Sequence, residues 1–509
     1  NSARYPLPTA GDLIYDSNSN SMKMKFNYIA GLLLATTLLS CNKYLDVNKN
    51  PNAAEDVDPR LLFSYASTSL INNRAGGDLY IPMALGGQSI SGGGDAPQGT
   101  SWGSEAEDQY VFSPYSYSNI WSVFYTSVAA NLKRAILLAE SASPLNRNGA
   151  AQAKVLLAET FYELTTVYGD IPFSEALNDS IKTPKFDSQQ EVINGAIALI
   201  DEALAEFDPD DPESFEAPYD MFYRGERRIQ HWIRAARSLK LRMLMTMVDK
   251  DQSKIEAIGQ MIAAGGMISS PEDNFGAPFE NAAGKTNPKF AIKNEYLGDM
   301  DFFYASPYVI DPMNANNDPR RPVFFDKPSG ASGYVGIQPG ADADDDIHAK
   351  LANSLHFPDQ PEYLFTYQEQ LFYEAEIYAR GMGSVTVDLA RANTLYKQAV
   401  MESCKFYGLS ESVAENFANL LPDLTAQAEL LKAIYLQHWI DKMDRGLDAF
   451  TQWRRSGPQG SEVPNLVRPA NAPEGDLFRR YEYPADAETA ANPNAPPFTP
   501  FNVKMWFDL

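Results

Sequence analysis

The sequence predicts an all-α, predominantly helical protein with long irregular loops and one small β-hairpin, and three observations carry that prediction. The first is the stretch Ala150 to Leu177. There Ala153, Leu156, Thr160, Leu164 and Val167 share one helical face, and Ala151, Val155, Ala158 and Tyr162 form a second apolar row. A helix that is apolar on two sides has to be covered on two sides, which places it at the centre of a helical core. Gln152, Glu159, Glu163 and Thr166 form the narrow stripe left for water. The second observation is that windows downstream repeat the same period. The third is a block, residues 266–360, where Pro, Gly, Asn and Asp rise and the helical period disappears. With 509 residues, 44 % of them hydrophobic and 12 % aromatic, the chain can bury a large core.

Taken in order, residues 1–21 are polar and read as neither core nor signal, a non-native or over-extended start, with Met22 or Met24 as the expected initiator. Residues 22–40 read as a secretory leader. Lys23 and Lys25 give a basic start, and Ile29 to Leu39 an apolar run of about eleven residues, short of the ~20 needed to span a bilayer. The run ends Leu38-Leu39-Ser40-Cys41, which resembles a bacterial lipobox, with Leu39 bulkier than the usual residue. That chemistry needs cysteine, because the thiol takes a diacylglyceryl group and the newly freed amine a further chain. Several chains, at ~0.8 kcal/mol per buried methylene, anchor a protein where one does not. Cys41 is therefore the expected lipidation site, residues 41–52 a polar tether, and residues 53–509 the folded domain. With Cys41 so used, Cys404 has no partner for a disulfide.

Leu61 to Ile71 reads as the first helix. Asn72 to Ser118 reads as a long irregular region with glycines at Gly86-Gly87 and Gly92-Gly93-Gly94. Its aromatics, Tyr80, Trp102, Tyr110, Phe112, Tyr115 and Tyr117, argue for function over disorder. Ile120 to Glu140 is a helix stopped near Pro144. In the central helix Asn148 is the expected N-cap and Gly169 the left-handed residue at the end, with Pro172 preventing continuation. Ser188 and Glu191 form a capping box for Glu191 to Phe207. Gln230 to Val248 puts Trp232, Ala236, Leu239, Met243 and Met247 on one face, and Lys254 to Ala264 stops at Gly265-Gly266. These read as antiparallel pairs of the tetratricopeptide kind, without a strict repeat of ~34 residues. Within 266–360, Val323 to Phe325 and Tyr334 to Ile337 flank KPSGASG and read as the hairpin. Helices resume at Glu362–Gly381, Asp388–Tyr407 and Leu424–Met443.

The central helix and its exit also carry a resemblance. FY-x-LT-x-x-YGDIP-x-x-EAL, Phe161 to Leu177, is similar to the signature of SusD/RagB-type lipoproteins, the outer-membrane glycan-binding proteins of Bacteroidetes. Other segments agree with that family in order: NKYLDVNKNPN after Cys41, NNDPRRPVFFD (Asn316 to Asp326), GYVGIQPG (Gly333 to Gly340), and the helix Glu362 to Gly381. Trp453-Arg454-Arg455-Ser456-Gly457, RRYEYPADAETAAN (Arg479 to Asn492) and Lys504-Met505-Trp506-Phe507 complete the set. The resemblance implies a SusD-like fold with tetratricopeptide-like helix pairs. It further implies a non-catalytic lipoprotein on the outer membrane, facing the cell exterior and held by acylated Cys41. Its ligand would be an oligosaccharide, and its partner a SusC-like TonB-dependent β-barrel on which it sits as a lid. Within the same fold, the RagB-type branch would take peptides instead.

Composition narrows the remaining classes. A formal charge of −24 excludes nucleic acid as a partner, since that binding begins with neutralising phosphates. His231, His348, His356 and His438 show no HExxH spacing, no GxSxG is present, and Gly92-Gly93-Gly94 lacks the Lys-Ser/Thr of a phosphate loop. Around Asp342, Asp344, Asp345 and Asp346, Ile347 and Asn353 stand where a calcium loop needs glycine and glutamate, so no metal site is assigned. No cofactor is implied. A lipid-anchored, all-helical polysaccharide-degrading enzyme is the alternative from a different class, and would need a carboxylate pair ~5–9.5 Å apart. What remains is aromatics on irregular segments, whose faces fit the C–H face of a pyranose while amides and carboxylates take its hydroxyls. The candidates are Trp102 and Tyr80 with Gln88 and Asp95, joined by Tyr296, Tyr304 and Tyr308. Trp121, Trp232 and Trp439, on helices, are expected in the core.

Overall fold

In the computed structural model, which describes residues 57–93, 107–292, 294, 303–469, 471–485 and 487–509, helix α1 (Pro59–Arg74) comes first. Asp58 caps it and Pro59 opens it, where a missing N–H costs nothing. The leader, Cys41, the tether, Trp102, Asp95 and Tyr296 lie outside the described residues. The stretch read as irregular contains two helices and a strand: α2 (Tyr80–Gly86), β1 (Ile90–Gly92) and α3 (Pro114–Ser122). Every residue of α2 is buried, so no polar face reveals its period. Pro82 sits in the first turn, where its ring meets no earlier carbonyl. From α3 the chain winds through a π-helical segment, Val123–Ala129, into α4 (Ala130–Glu140).

The central helix is α5 (Arg147–Tyr168), and it packs between α4 and α6 (Gln189–Glu206). Its cap is Asn146, not Asn148: Asn146 Oδ1 accepts from Gly149 N at 2.7 Å, while Asn148 lies inside the helix and exchanges hydrogen bonds with Asp208. Gly169 takes φ +82° at the end, and the Ser188–Glu191 capping box is present on α6. Next come α7 (Arg228–Met247) and α8 (Ile255–Ala264).

Strands β2 (Phe275–Ala277) and β3 (Phe303–Ala305) lead to α9 (Pro307–Ala315), β4 (Phe325–Asp326), β5 (Lys350–Leu351) and β6 (Glu362–Phe365). A four-stranded antiparallel sheet runs β1-β3-β5-β4, and β2 pairs with β6. The expected hairpin is corrected: Phe325 pairs with Leu351, while Ile337 N donates to Ala305 O and Ala349 N to Val335 O. Residues 362–365 are also strand, so the helix there starts later, as α10 (Tyr367–Arg380). It is followed by α11 (Leu389–Phe406), α12 (Glu411–Leu420), α13 (Gln427–Asp441) and α14 (Gly446–Arg454). A second hydrophobic cluster lies among α10, α11, α12 and α13 and contains Cys404, whose thiol burial pushes up to about 12. Such a thiol is structural.

The largest departure concerns the polar stripe of α5. Gln152, Glu159, Glu163 and Thr166 are all buried. Cations from distant segments reach the two glutamates. Arg74 pairs with Glu163, Glu362 and Asp448, and Arg242 with Glu159 and, at 3.5 Å, Asp448. The network extends through Lys289–Glu362 (2.5 Å), Lys442–Glu369 (2.7 Å) and Arg445–Asp441 (2.8 Å). Burial raises the carboxyls of Glu159 and Glu362 above their ordinary value despite these cations. At Asp448 burial acts in the same sense, but Arg74, Lys442 and Arg242 outweigh it and hold the group low.

Asp220 is a separate buried acid. It accepts from Trp232 Nε1 (2.7 Å), Gln152 Nε2 (3.0 Å) and the Phe222 and Tyr223 amides, so the loop ahead of α7 is tied to α5. Burial raises it to about 6, so the folded state holds its proton more tightly than the unfolded chain and this group's contribution falls as pH rises toward 6. Asp220→Asn turns an amino group toward donors. It is expected to remove that pH dependence and to lower stability at pH 7 by about 1–3 kcal/mol in urea titration.

Candidate functional site

The segment between β4 and β5 and a segment beyond α14 face each other across a cavity of about 390 Å³. Gln338, Gly340 and Asp342 line one side and Val467, Arg468, Pro469 and Asn471 the other. Both walls are irregular backbone, and each is fixed by side chains from the sheet region. Ser306 caps α9 by accepting from Tyr308 N, and the Tyr308 side chain is half-buried. The Tyr308 hydroxyl accepts from Val467 N at 3.1 Å and lies 3.5 Å from Gln338 Oε1, so it spans the two walls. Asn471 Nδ2 donates to Gly340 O at 3.1 Å. Asp108 Oδ2 accepts from Gly92 N and Gly340 N, each at 2.9 Å. Burial raises the Asp108 carboxyl, and those two amides oppose the rise.

The residues expected from the sequence divide. Tyr308 adjoins the cavity, its hydroxyl bound to the lining residue Val467. Gln88 is fully buried beneath it, donating to Tyr110 Oη (2.7 Å) and Val467 O (3.0 Å), so it positions the wall. Tyr304 packs its ring on Gly93, where a Cβ would come within 2.4 Å. Its hydroxyl donates to Asp345 at 2.6 Å and, with Lys350, keeps that carboxylate below its ordinary value. Tyr80 is corrected: it lies on α2, only 2 % exposed, hydrogen-bonded to His356 Nε2 at 3.0 Å with Lys289 over its ring, and offers no surface. Arg468 and Asn471 were not expected, because Val467 to Asn471 shows no period and no aromatic. Gln338 stood within the quoted GYVGIQPG segment without being singled out. Trp232 and Trp439 are core as expected, whereas Trp121 is only half-buried. Among the described residues no group of three or more His, Cys, Asp or Glu is arranged to hold a metal ion, and no helix is long and apolar enough to cross a membrane.

The sequence model of the SusD-like family, described as starch-binding associating with outer membrane, matches residues 52–484. The chain belongs to the SusD-like family. Solved structures agree in fold. A SusD-like protein of Bacteroidetes AC2a is similar with a TM-score of 0.73 at 20 % identity, over 89 % of this chain and 100 % of that one. A SusD/RagB family protein from Bacteroides thetaiotaomicron gives 0.70 at 19 % identity, over 89 % and 99 %. A chitin-binding SusD homologue from Flavobacterium johnsoniae gives 0.66 at 19 %, over 88 % and 98 %. No protein of curated function matches by sequence alone. The SusD-like family is one of outer-membrane-associated, non-catalytic nutrient- and glycan-binding proteins, so the polysaccharide-degrading alternative is set aside.

Proposed function

We propose that the protein is a surface receptor that takes an oligosaccharide at the cavity between Gln338–Asp342 and Val467–Asn471. It then delivers the sugar to a SusC-like TonB-dependent barrel. The observation that carries this reading is a concave site with Gln338, Arg468, Asn471 and Asp342 at its walls, beside which the half-buried Tyr308 is held by its hydroxyl to Val467 and Gln338. A ring to stack on and a few polar groups around it are what a pyranose requires. Trp102, Asp95 and Tyr296 remain proposed contacts, and acylated Cys41 the proposed tether to the outer membrane. Labelled palmitate on Cys41, and a porin-sized companion in pull-downs, test the tether and the partner.

Affinity electrophoresis against a polysaccharide panel tests the ligand. At least one polysaccharide is expected to retard the protein. Tyr308→Ala and Arg468→Ala are each expected to weaken that retention about tenfold, ~1.4 kcal/mol, whereas Tyr308→Phe keeps the ring and loses less. If no polysaccharide retards the protein while a peptide library does, the cargo is peptide and the glycan reading fails.

A further inference from the structure

The signature that ends the central helix, Tyr168 to Leu177, takes no part in the cavity just described, and its loop is fixed at nearly every turn. Tyr125 Oη donates to Pro172 O at 2.6 Å and Tyr483 Oη to Asp170 O at 2.8 Å. Asp187 Oδ2 accepts from Phe173 N and Ser174 N, and its backbone pairs with Ile171. Asn492 and Asn494 hold the carbonyls of Pro184 and Thr183 at 2.8 and 2.9 Å. Leu177, a branched residue, sits at φ +58°, a conformation that persists only where the surroundings impose it.

This frame encloses a pocket of about 200 Å³, walled by Trp121, Tyr125 and Phe186, with Lys182 at its rim. Trp121 and Phe186 lie nearly parallel, 21° apart with centroids at 6.0 Å, and both stay half-exposed while Trp232, Trp439 and Trp453 are buried. Tyr168 and Tyr483 hold the indole edge-on from behind. Among the described residues neither the Trp121 indole N–H nor the Lys182 ammonium has a hydrogen-bond or ion-pair partner. A rigid aromatic platform with unused donors beside it suits a ligand with a flat C–H face and acceptor oxygens around its edge. The volume is below the ~300–1,000 Å³ of pockets for drug-sized ligands, and so admits a single ring. A folded protein partner would need about 800 Å² of surface.

We propose that the Trp121–Phe186 pocket is a second carbohydrate site, taking one pyranose residue of a polysaccharide. It shares no residue with the Tyr308 cavity. The proposal rests on the reading of the chain as a glycan receptor. Two sites on one polysaccharide would raise its retention through effective concentration, even where each alone is weak.

Saturation-transfer NMR on the full folded protein tests this, with methyl glycosides of glucose, galactose and N-acetylglucosamine as probes. Wild type, the cavity double variant Tyr308→Ala/Arg468→Ala, and Trp121→Ala, Phe186→Ala and Lys182→Ala are compared. At least one glycoside is expected to keep its ring-proton signal in the cavity variant and to lose it at least fivefold in Trp121→Ala and Phe186→Ala. Lys182→Ala, an exposed change that leaves the fold intact, is expected to weaken it about threefold, which guards against mere misfolding of the ring variants. If the cavity variant abolishes every signal, or the three pocket variants bind as wild type, the second site is overturned and the receptor reading stands. Silence from every glycoside, with polysaccharide retention absent too, overturns both.

Discussion

Arg74→Met is expected to destabilise the protein by about 3–5 kcal/mol at pH 7, the usual cost of breaking a buried ion pair from one side. Arg74 is the only described cation that meets Glu163, Glu362 and Asp448 together, and all four side chains are nearly excluded from water. Methionine fills much of the same volume, so the loss would come from stranded charge and not from a void. Its pH dependence identifies the cause. In the wild type Asp448 is held low, at about 2, against an unfolded value of ~3.9. That contribution is present above pH ~4 and is lost as pH falls toward 2. Without Arg74, Asp448 loses the cation that does most to hold it low, and Glu362, already raised by burial, should rise further, so the variant should recover stability as pH drops from 7 toward 5. Urea titrations at both pH values read this directly. A variant whose deficit is the same at pH 5 and pH 7 would mean that water, not Arg74, compensates those carboxylates.

The second large effect is expected at Arg320, inside the NNDPRRPVFFD segment. Its guanidinium is fully buried and donates to Asp318 (2.6 and 3.0 Å), Ser403 Oγ on α11 (2.8 Å) and Gln437 Oε1 on α13 (2.5 Å). Burial disfavours its charge, but Asp318 more than restores it, so Arg320 stays ionised. It thereby fastens the segment that carries Tyr308 and Gln338 onto the helical scaffold. Arg320→Ala leaves Asp318 buried without a countercharge and should cost about 3–5 kcal/mol. Arg320→Lys should rescue little, because a point charge cannot satisfy a fork of donors aimed at three side chains. Hydrogen exchange should accelerate first in residues 303–360, with α5 still protected, and retention of polysaccharide should fall with it. Uniform acceleration across the chain would show that Arg320 supports the whole fold and not the site in particular.

Much of the helical scaffold was legible because period and caps are local properties. Helices α5, α6 and α7 lie within a few residues of the predicted bounds, and Ser188, Glu191 and Gly169 act as read. Local reasoning failed where a distant residue decides. The α5 stripe looked solvent-facing because nothing near Glu159 or Glu163 announces Arg242 or Arg74. The same limit explains Asn148, which serves Asp208 instead of its own helix. Helix α2 was missed for the opposite reason, since a segment buried all round has no periodic contrast. At the site, Tyr80 and Tyr308 have the same side chain in similar company, and only tertiary placement separates an interior ring from a half-exposed one. The cavity and its supports are assembled from residues far apart in sequence, Gln338 and Val467 in the walls with Gln88 and Tyr308 bracing them, so no single window could contain it.

Stacked helix pairs are ordinarily divisible, because each unit leans only on its neighbours and an array can be shortened without unmaking the rest. The charged interior removes that freedom here. Arg74, Glu163, Arg242, Lys289, Glu362 and Asp448 arrive from widely separated stretches and neutralise one another only when all are home. Excising α1, α5, α7 or α14 would leave bare ions facing hydrocarbon, so this scaffold can be decorated at its loops but not trimmed at those helices.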